Sequence, residues 1–470
     1  MNRRTCFIFW AFFLLGSGCT AIRPSPAPVR QSPQSSIELA RFGVPISGPE
    51  VQPAGFEVAG AHPVDYYVQT ALARNPEIQA LERRVAAQSE VIPQVTTLPD
   101  PMLSNAFWPI SDNSLQTAAG RATNVLTMSQ SFPWFGKLRL RGQVAEADTQ
   151  IALSQLAEIQ LKVIEDVKTT YYEIYFSQQA IKITEDNEKF LRDYITLADA
   201  RYKVAKSSQQ DVLRSQVELS KLQDQLVALR RQWKVAQADM AKLLSIPPES
   251  DLRALDSPTL PAVPDQMDRL YEVALATRPE LQGRLQAILR DQRKVDLAKL
   301  NYFPDVAVGV SWGAITTTDA LARMTANGHD TVAFAVGINL PVWHDKLAAG
   351  VREAQNRQAE SSQLLQVAKD DIMRHVRRLS VQALALEQQV VLYRKEIVPR
   401  ADQTLQVAVA DYKVGKVDAL TVLDNYTQLL RFRIQQVRLE SALGQVLSSL
   451  ERAVGGQLVE MTPASKKMTP

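Results

Sequence analysis

A chain that carries one pattern twice must fold around that duplication, and this one does. The stretch Ala410-Asp411-Tyr412-Lys413-Val414-Gly415-Lys416 is followed, past Val417 to Leu420, by Thr421-Val422-Leu423-Asp424-Asn425. An earlier stretch matches it: Ala200-Arg201-Tyr202-Lys203-Val204-Ala205-Lys206, then Asp211-Val212-Leu213-Arg214 past Ser207 to Gln210. Tyr202 and Tyr412 are separated by the same count of residues as Leu213 and Leu423. Each copy lies between two long helical patterns, so each reads as the turn at the end of a helical hairpin. Other pairs follow. Asn75-Pro76-Glu77-Ile78 returns as Arg278-Pro279-Glu280-Leu281, Pro99-Asp100 as Pro304-Asp305, and Phe132-Pro133-Trp134 as Leu340-Pro341-Val342; Lys137 and Lys346 follow the last pair. Two copies of so long a unit make a duplicated domain and not a solenoid.

The duplication divides the chain. Residues 64–263 form the first repeat, with a strand hairpin at about 101–133 and a tip turn at about 202–213. Residues 264–456 form the second, with a hairpin at about 304–341 and a tip turn at about 412–424. Residues 457–470 are a C-terminal tail.

The strand hairpins are read from alternation. Val306, Val308, Val310 and Trp312 alternate with Ala307, Gly309, Ser311 and Gly313. Val332, Phe334, Val336, Ile338 and Leu340 alternate with Ala333, Ala335, Gly337 and Asn339. The first hairpin spans Met102–Ile110 and Asn124–Phe132, with Leu126, Met128 and Phe132 opposite Thr127, Ser129 and Ser131. Ser111–Arg121 and Thr316–Asp330 read as loops. Period-two alternation gives strands with one apolar face. The other face is too small to fill a core but suits a wet lumen. Strands of about ten residues can cross a bilayer, yet four of them cannot close a barrel, which takes about eight. The hairpins therefore call for an oligomer.

Apolar residues at steps of three and four mark four long helices. Leu156, Ile159, Val163, Val167 and Ile174 lie on one; Leu219, Leu222, Leu226, Leu229, Trp233, Ala236, Met240 and Leu243 on the next. Leu365, Ala368, Ile372, Val376, Leu379, Ala383, Leu386, Val390, Tyr393 and Ile397 lie on the third; Leu429, Phe432, Leu439, Leu443, Val446 and Leu450 on the fourth. These are coiled-coil seams. Lys137–Lys206 would span on the order of 100 Å as helix.

The 470 residues carry a net charge of only +3, with no basic tract, zinc-finger spacing or phosphate loop, so nothing points to nucleic acid. Arg3 and Arg4, the apolar run Phe7 to Leu15 and the small residues Gly16-Ser17-Gly18 make residues 1–18 a signal peptide. Cys19 directly after the cut resembles a bacterial lipobox, with Leu15 one place further from Cys19 than usual. That resemblance implies palmitate on Cys19 and a Pro-rich, lipid-anchored tether over residues 19–63; plain secretion is the alternative. Beyond residue 19 no apolar run reaches 18 residues, so a bilayer crossing must use a closed barrel.

From about Val64 to Gly456 the chain resembles outer-membrane efflux proteins of the TolC-like family. The duplication, the Asn75-Pro76-Glu77 and Arg278-Pro279-Glu280 helix starts, one strand hairpin per repeat and the turns at Tyr202 and Tyr412 carry the likeness. Cys19 and Phe132-Pro133-Trp134-Phe135-Gly136-Lys137 resemble the lipoprotein branch that serves metal and drug pumps. The likeness implies a mainly α fold with a transmembrane β portion. Long helical hairpins would form an α-barrel, and four strands per chain a trimeric twelve-stranded β-barrel. It implies a homotrimer in the outer membrane, reaching into the periplasm. Its helix tips would meet a periplasmic adaptor (membrane fusion) protein bound to an inner-membrane pump, with the RND type as candidate. Such a protein is a passive duct without catalysis or cofactor.

The family narrows its pore at the second tip turn with an aromatic residue and two acids three apart. Tyr412 matches the aromatic and Asp424 the second acid; Thr421 replaces the first acid, and Val417 stands where the family has a gate-locking basic residue. In the first copy Asp211 and Arg214 occupy the places of Thr421 and Asp424. The turns Val204-Ala205-Lys206 and Val414-Gly415-Lys416 match the adaptor-contact knobs. For metal, the histidines His62, His329, His344 and His375 lie far apart without ligand spacing, so no resident metal site is expected. Three rivals stand against the duct. A periplasmic adaptor would have one hairpin flanked by soluble β-domains, and a coiled-coil structural lipoprotein of an export complex would lack the four strand patterns. An enzyme would need a nucleophile motif or paired carboxylates, and none is found.

Overall fold

The computed structural model describes residues 60–109, 115–117, 120–204, 208–264, 266–316, 328–456 and 458. The signal peptide, Cys19, most of the tether, Ala205, Lys206 and the tail beyond 458 lie outside the described residues.

The first half opens with β1 (Gly60–Ala61) and three short helices, α1 (Val64–Arg74), α2 (Pro76–Ser89) and α3 (Val91–Thr96). Strands β2 (Met102–Phe107), β3 (Leu115–Thr117) and β4 (Gly120–Phe132) follow. Helix α4 (Lys137–Lys203) runs 67 residues unbroken, and α5 (Gln209–Leu244) returns beside it. At 1.5 Å per residue α4 is about 100 Å long. Strand β5 (Leu252–Arg253) pairs in parallel with β1 and closes the first half.

The second half repeats the order. Helices α6 (Met267–Thr277) and α7 (Pro279–Leu300) precede strands β6 (Val306–Thr316) and β7 (Thr331–Ile338). Helix α8 (His344–Leu392), a π-helical turn (Tyr393–Ile397) and α9 (Val398–Val414) together form the outgoing arm. Helix α10 (Ala419–Val454) returns. The π turn precedes Pro399, whose ring and missing N–H displace a helical hydrogen bond. The wider turn lets the helix pass the proline instead of ending there.

Both repeats begin with the same device. Pro76 and Pro279 sit in the first turn of α2 and α7, where a missing N–H costs nothing. The residue before each proline closes the return helix of its own repeat. The Asn75 side-chain amide donates to the Leu243 carbonyl at 3.2 Å, at the end of α5. The Arg278 guanidinium donates to the Ala453 carbonyl at 3.2 Å, at the end of α10, and pairs with Glu158 at 3.3 Å. Helix-end carbonyls lack partners within their own helix, so a buried end needs such a donor.

The apolar seams pack into three clusters. One joins α1, α4 and α5 through Tyr67, Val167, Phe176, Met240 and Leu244. A second joins α6, α8 and α10 through Leu270, Val376, Leu447 and Leu450. The third lies toward the tips, around Tyr194, Tyr412 and Tyr426. Where α10 crosses α4, a Cβ on Gly444 would fall 2.6 Å from the Tyr172 ring. A side chain at this position would meet the Tyr172 ring, so glycine leaves the space the ring fills.

The main sheet is antiparallel in the order β2-β4-β6-β7, with β3 pairing onto the start of β4. Here the structure departs from the sequence expectation. β4 begins at Gly120 and not Asn124, and β3 falls inside the stretch read as a loop. The extension is a ladder of three pairs, Leu115 opposite Ala122, Gln116 opposite Arg121 and Thr117 opposite Gly120, closed by a Thr117 Oγ1 bond to the Gly120 carbonyl at 2.7 Å. A three-residue strand with a single large apolar residue, Leu115, leaves no alternation to read.

Candidate functional site

Two regions carry the functional expectations: the sheet at one end of the long helices and the turns at the other. In the sheet, register puts most of the large apolar residues in rows on one face, with Met102 and Val125 on the other. Leu103, Met128, Val310 and Phe334 form one row, and Leu126, Trp312 and Val332 another. Ser104, Thr127, Ser311 and Ala333 form a row on the opposite face. The apolar face is uncovered, with Phe334 84% exposed. An apolar surface this continuous marks contact with a membrane or a partner. None of the described helices is long and apolar enough to cross a membrane.

Where the sheet meets the helices, the two repeats are locked together. Lys137 Nζ, buried, pairs with Asp305 Oδ1 at 2.7 Å and donates to the Phe303 carbonyl at 3.2 Å. The Trp134 N–H also donates to Asp305 Oδ1, at 2.7 Å, and the Trp134 ring stacks on Phe303 with centroids 5.3 Å apart. Burial by itself would raise the Asp305 carboxyl. The Lys137 and Trp134 donors outweigh it and hold the group below the usual carboxylate range.

At the tips, Tyr412 is buried, 2% exposed, against the Tyr194 ring 5.5 Å away. The Arg201 guanidinium lies 4.4 Å over the Tyr412 ring and donates to the carbonyls of Tyr412 and Lys413. Burial, then the neighbouring Tyr412, push the Tyr194 hydroxyl well above its ordinary value. Gly415 ends α9 at φ +80°. The Lys416 N–H returns to the Asp411 carbonyl at 2.9 Å and that of Gly415 to Tyr412 at 3.1 Å, a Schellman closure. Val414 and Lys416 are exposed. Asp418 caps α10, accepting from the Thr421 N–H at 2.9 Å and its hydroxyl at 2.6 Å, which hold the carboxyl below its usual value. Thr421 and Asp424 are both exposed. In the first tip Val204 is exposed, and Ser208 and Asp211 form a capping box for α5.

Sequence reasoning missed Arg201, Asp418 and the Lys137–Asp305 bridge. A signal existed for two of them. Aligning the repeats sets Arg201 against Asp411, a charge reversal within an otherwise matching motif, and recovers Pro-Asp and the following lysine in both copies. Two of the histidines stack on local rings: His62 on Tyr66, centroids 4.3 Å apart, and His344 on Tyr302 at 6.4 Å. Among the described residues no cluster of His, Cys, Asp or Glu could hold a metal ion.

The family profile described as outer membrane efflux protein matches residues 67–245 and 270–456. The pyoverdine export outer membrane protein OpmQ of Pseudomonas putida is 24% identical over 481 residues, covering 97% of this chain and 98% of that protein. The cobalt-zinc-cadmium resistance protein CzcC of Cupriavidus metallidurans is 22% identical over 413 residues, covering 85% and 91%. Among solved structures, the outer-membrane channel OprN superposes with a TM-score of 0.70 at 17% identity, over 88% of this chain and 98% of its own.

Proposed function

The chain belongs to the outer membrane efflux protein family, and we propose that it is the exit duct of a tripartite efflux system. Members of this family are channels and not enzymes. The observation that carries the reading is the two-faced sheet: an uncovered apolar face backed by Ser, Ala, Gly and Thr, mounted on helices about 100 Å long. Three chains would supply twelve strands to an outer-membrane barrel and twelve helical arms to a periplasmic tunnel. Residues 64–263 and 264–456 are the two repeats of each protomer, and Cys19 is its lipid anchor at the end of the 19–63 tether.

The tips are the end that meets the adaptor, through Val204-Ala205-Lys206 and Val414-Gly415-Lys416, and through it an inner-membrane pump of the RND class. The mouth is lined by Thr421 and Asp424, with Tyr412 packed behind them to fix where α10 begins. Three Asp424 carboxylates around one opening favour cations. The range of relatives, from pyoverdine export to cobalt, zinc and cadmium resistance, leaves cargo choice to the pump. The test is conductance in planar bilayers. The native protein should form water-filled, cation-preferring channels, and Asp424→Ala should lower that preference. Absence of channels from correctly extracted protein contradicts the duct; unchanged selectivity in the variant removes Asp424 from the mouth.

A further inference from the structure

Each repeat leaves one large aromatic ring uncovered at the same place. Phe132-Pro133-Trp134-Phe135 in the first repeat matches Leu340-Pro341-Val342-Trp343 in the second, so Phe135 and Trp343 are counterparts. Phe135 is 87% and Trp343 75% exposed. They stand at the two elbows where a strand gives way to an outgoing helix. β4 ends at Phe132 and α4 begins at Lys137; β7 ends at Ile338 and α8 begins at His344. Trp134, beside Phe135, is by contrast packed on Phe303. A ring kept out of the core in both copies is not a packing residue.

Each ring is followed by a cation that the fold does not use. Arg139 is the third residue of α4 and Lys346 the third of α8. Both are exposed, and neither has an ion pair with any described residue. The first turn of a helix disfavours positive charge, so neither serves its own helix. Trp343 and Lys346 line one open recess. The elbows also adjoin the uncovered apolar face of the sheet. β6, with 11 residues, is long enough for the apolar band of a tilted barrel strand, about 25 Å tall. The elbows lie just beyond the helix-side edge of that band. At such a depth a bilayer presents glycerol and phosphate; aromatic rings are favoured there, and long cationic side chains reach the phosphates.

We propose that the two elbows form a belt that binds anionic phospholipid of the periplasmic leaflet, with Phe135 and Trp343 at the level of the glycerol and Arg139 and Lys346 pairing with headgroup phosphate. The proposal rests on the channel reading and adds to it the depth at which the chain sits and the class of lipid it selects. Continuity with the apolar face identifies the occupant as membrane, and the unpaired cations identify its charge. Repeat one is the stronger half, because Asp345 shares the recess with Lys346.

Two measurements test the belt. The first is depth. Nitroxide labels on Phe135→Cys and Trp343→Cys, in vesicles of phosphatidylethanolamine and phosphatidylglycerol, should report the headgroup boundary, and a label on Phe334→Cys the hydrocarbon. Elbow labels in bulk water, or shielded from lipid and water alike by a neighbouring copy, overturn the belt; with the Phe334 label in hydrocarbon, the channel reading stands. A Phe334 label in water overturns both. The second is lipid choice, read by native mass spectrometry of extracted protein offered equal amounts of phosphatidylglycerol and phosphatidylcholine. The native chain should retain phosphatidylglycerol preferentially. Arg139→Gln should lower that preference about fivefold, the worth of one cation at an anionic surface, and Lys346→Gln by less. Lys189→Gln, at an exposed cation farther along α4, should leave it unchanged. No preference in the native chain, or an equal loss in Lys189→Gln, overturns the lipid assignment. Displacement of phosphatidylglycerol by inorganic phosphate overturns it too, since that marks a plain anion site.

Discussion

The two tip turns carry nearly the same seven residues and use them in opposite ways. Tyr202 is 42% exposed, whereas Tyr412 is sealed between Tyr194 and Arg201. The turn residue itself does not explain this, since both tyrosines end an outgoing helix at matching positions. The neighbour does. Arg201, one residue before Tyr202, reaches from α4 to the end of α9, caps its carbonyls and covers the ring of the other copy's tyrosine. The second copy has Asp411 in that place, which faces its own Lys416 at 3.8 Å and returns no such contact. The duplication has therefore produced complementary tips: one supplies the clamp and the other is clamped. A proposed mouth at the second tip is held in place by the first.

The comparison can be broken most directly at the tyrosines. Tyr412→Ala removes a buried ring and should cost about 3–5 kcal/mol locally, as large aromatic truncations do. Tyr202→Ala should stay within about 0.5 kcal/mol. Hydrogen exchange over residues 405–430 should accelerate strongly in the first variant and stay unchanged in the second; equal effects would erase the distinction. Next comes Arg201→Gln, which removes charged hydrogen bonds to two carbonyls and should cost roughly 1.5–3 kcal/mol. Its exchange signature should appear at the end of α9 as well as at its own site. Acceleration confined to α4 would mean that Arg201 is not the clamp.

The smallest effects test the part the tips share. Ser208→Ala and Asp418→Ala each remove an N-cap and should cost about 1 kcal/mol. Similar losses would assign the asymmetry to Arg201 and Tyr412; a cap effect several times larger at one tip would move it to the caps. The Asp418 cap also responds to pH. Because the Asp418 carboxyl is lowered in the folded chain, its contribution is present above the ordinary carboxylate pKa and is lost as pH falls through the lowered value. Protection at the start of α10, taken relative to the intrinsic exchange rate at each pH, should therefore fall in acid more in the native chain than in Asp418→Ala.

The long elements were legible because their signals are periodic. Val163, Val376 and Leu450 recur at helical spacing and are buried, and Val308 recurs at strand spacing, exposed beside the buried Gly309. The ladder of β3 on β4 was not legible, since a three-residue strand carries no hydrophobic rhythm. The repeat marked Asp305 and Lys137 but not their pairing, since the two are far apart in sequence and meet only when β4 pairs with β6. For the candidate mouth, Thr421, Asp424 and Tyr412 came from family likeness. What the likeness could not give is that Tyr412 faces inward, because that depends on Arg201, a residue of the other repeat.

The most direct measurement is electron microscopy of protein extracted in detergent from the outer-membrane fraction. The duct predicts hollow tubes with threefold symmetry and a helical barrel about 100 Å long, in keeping with the length of α4. Thin monomeric rods recovered from the periplasm or the inner membrane would contradict it.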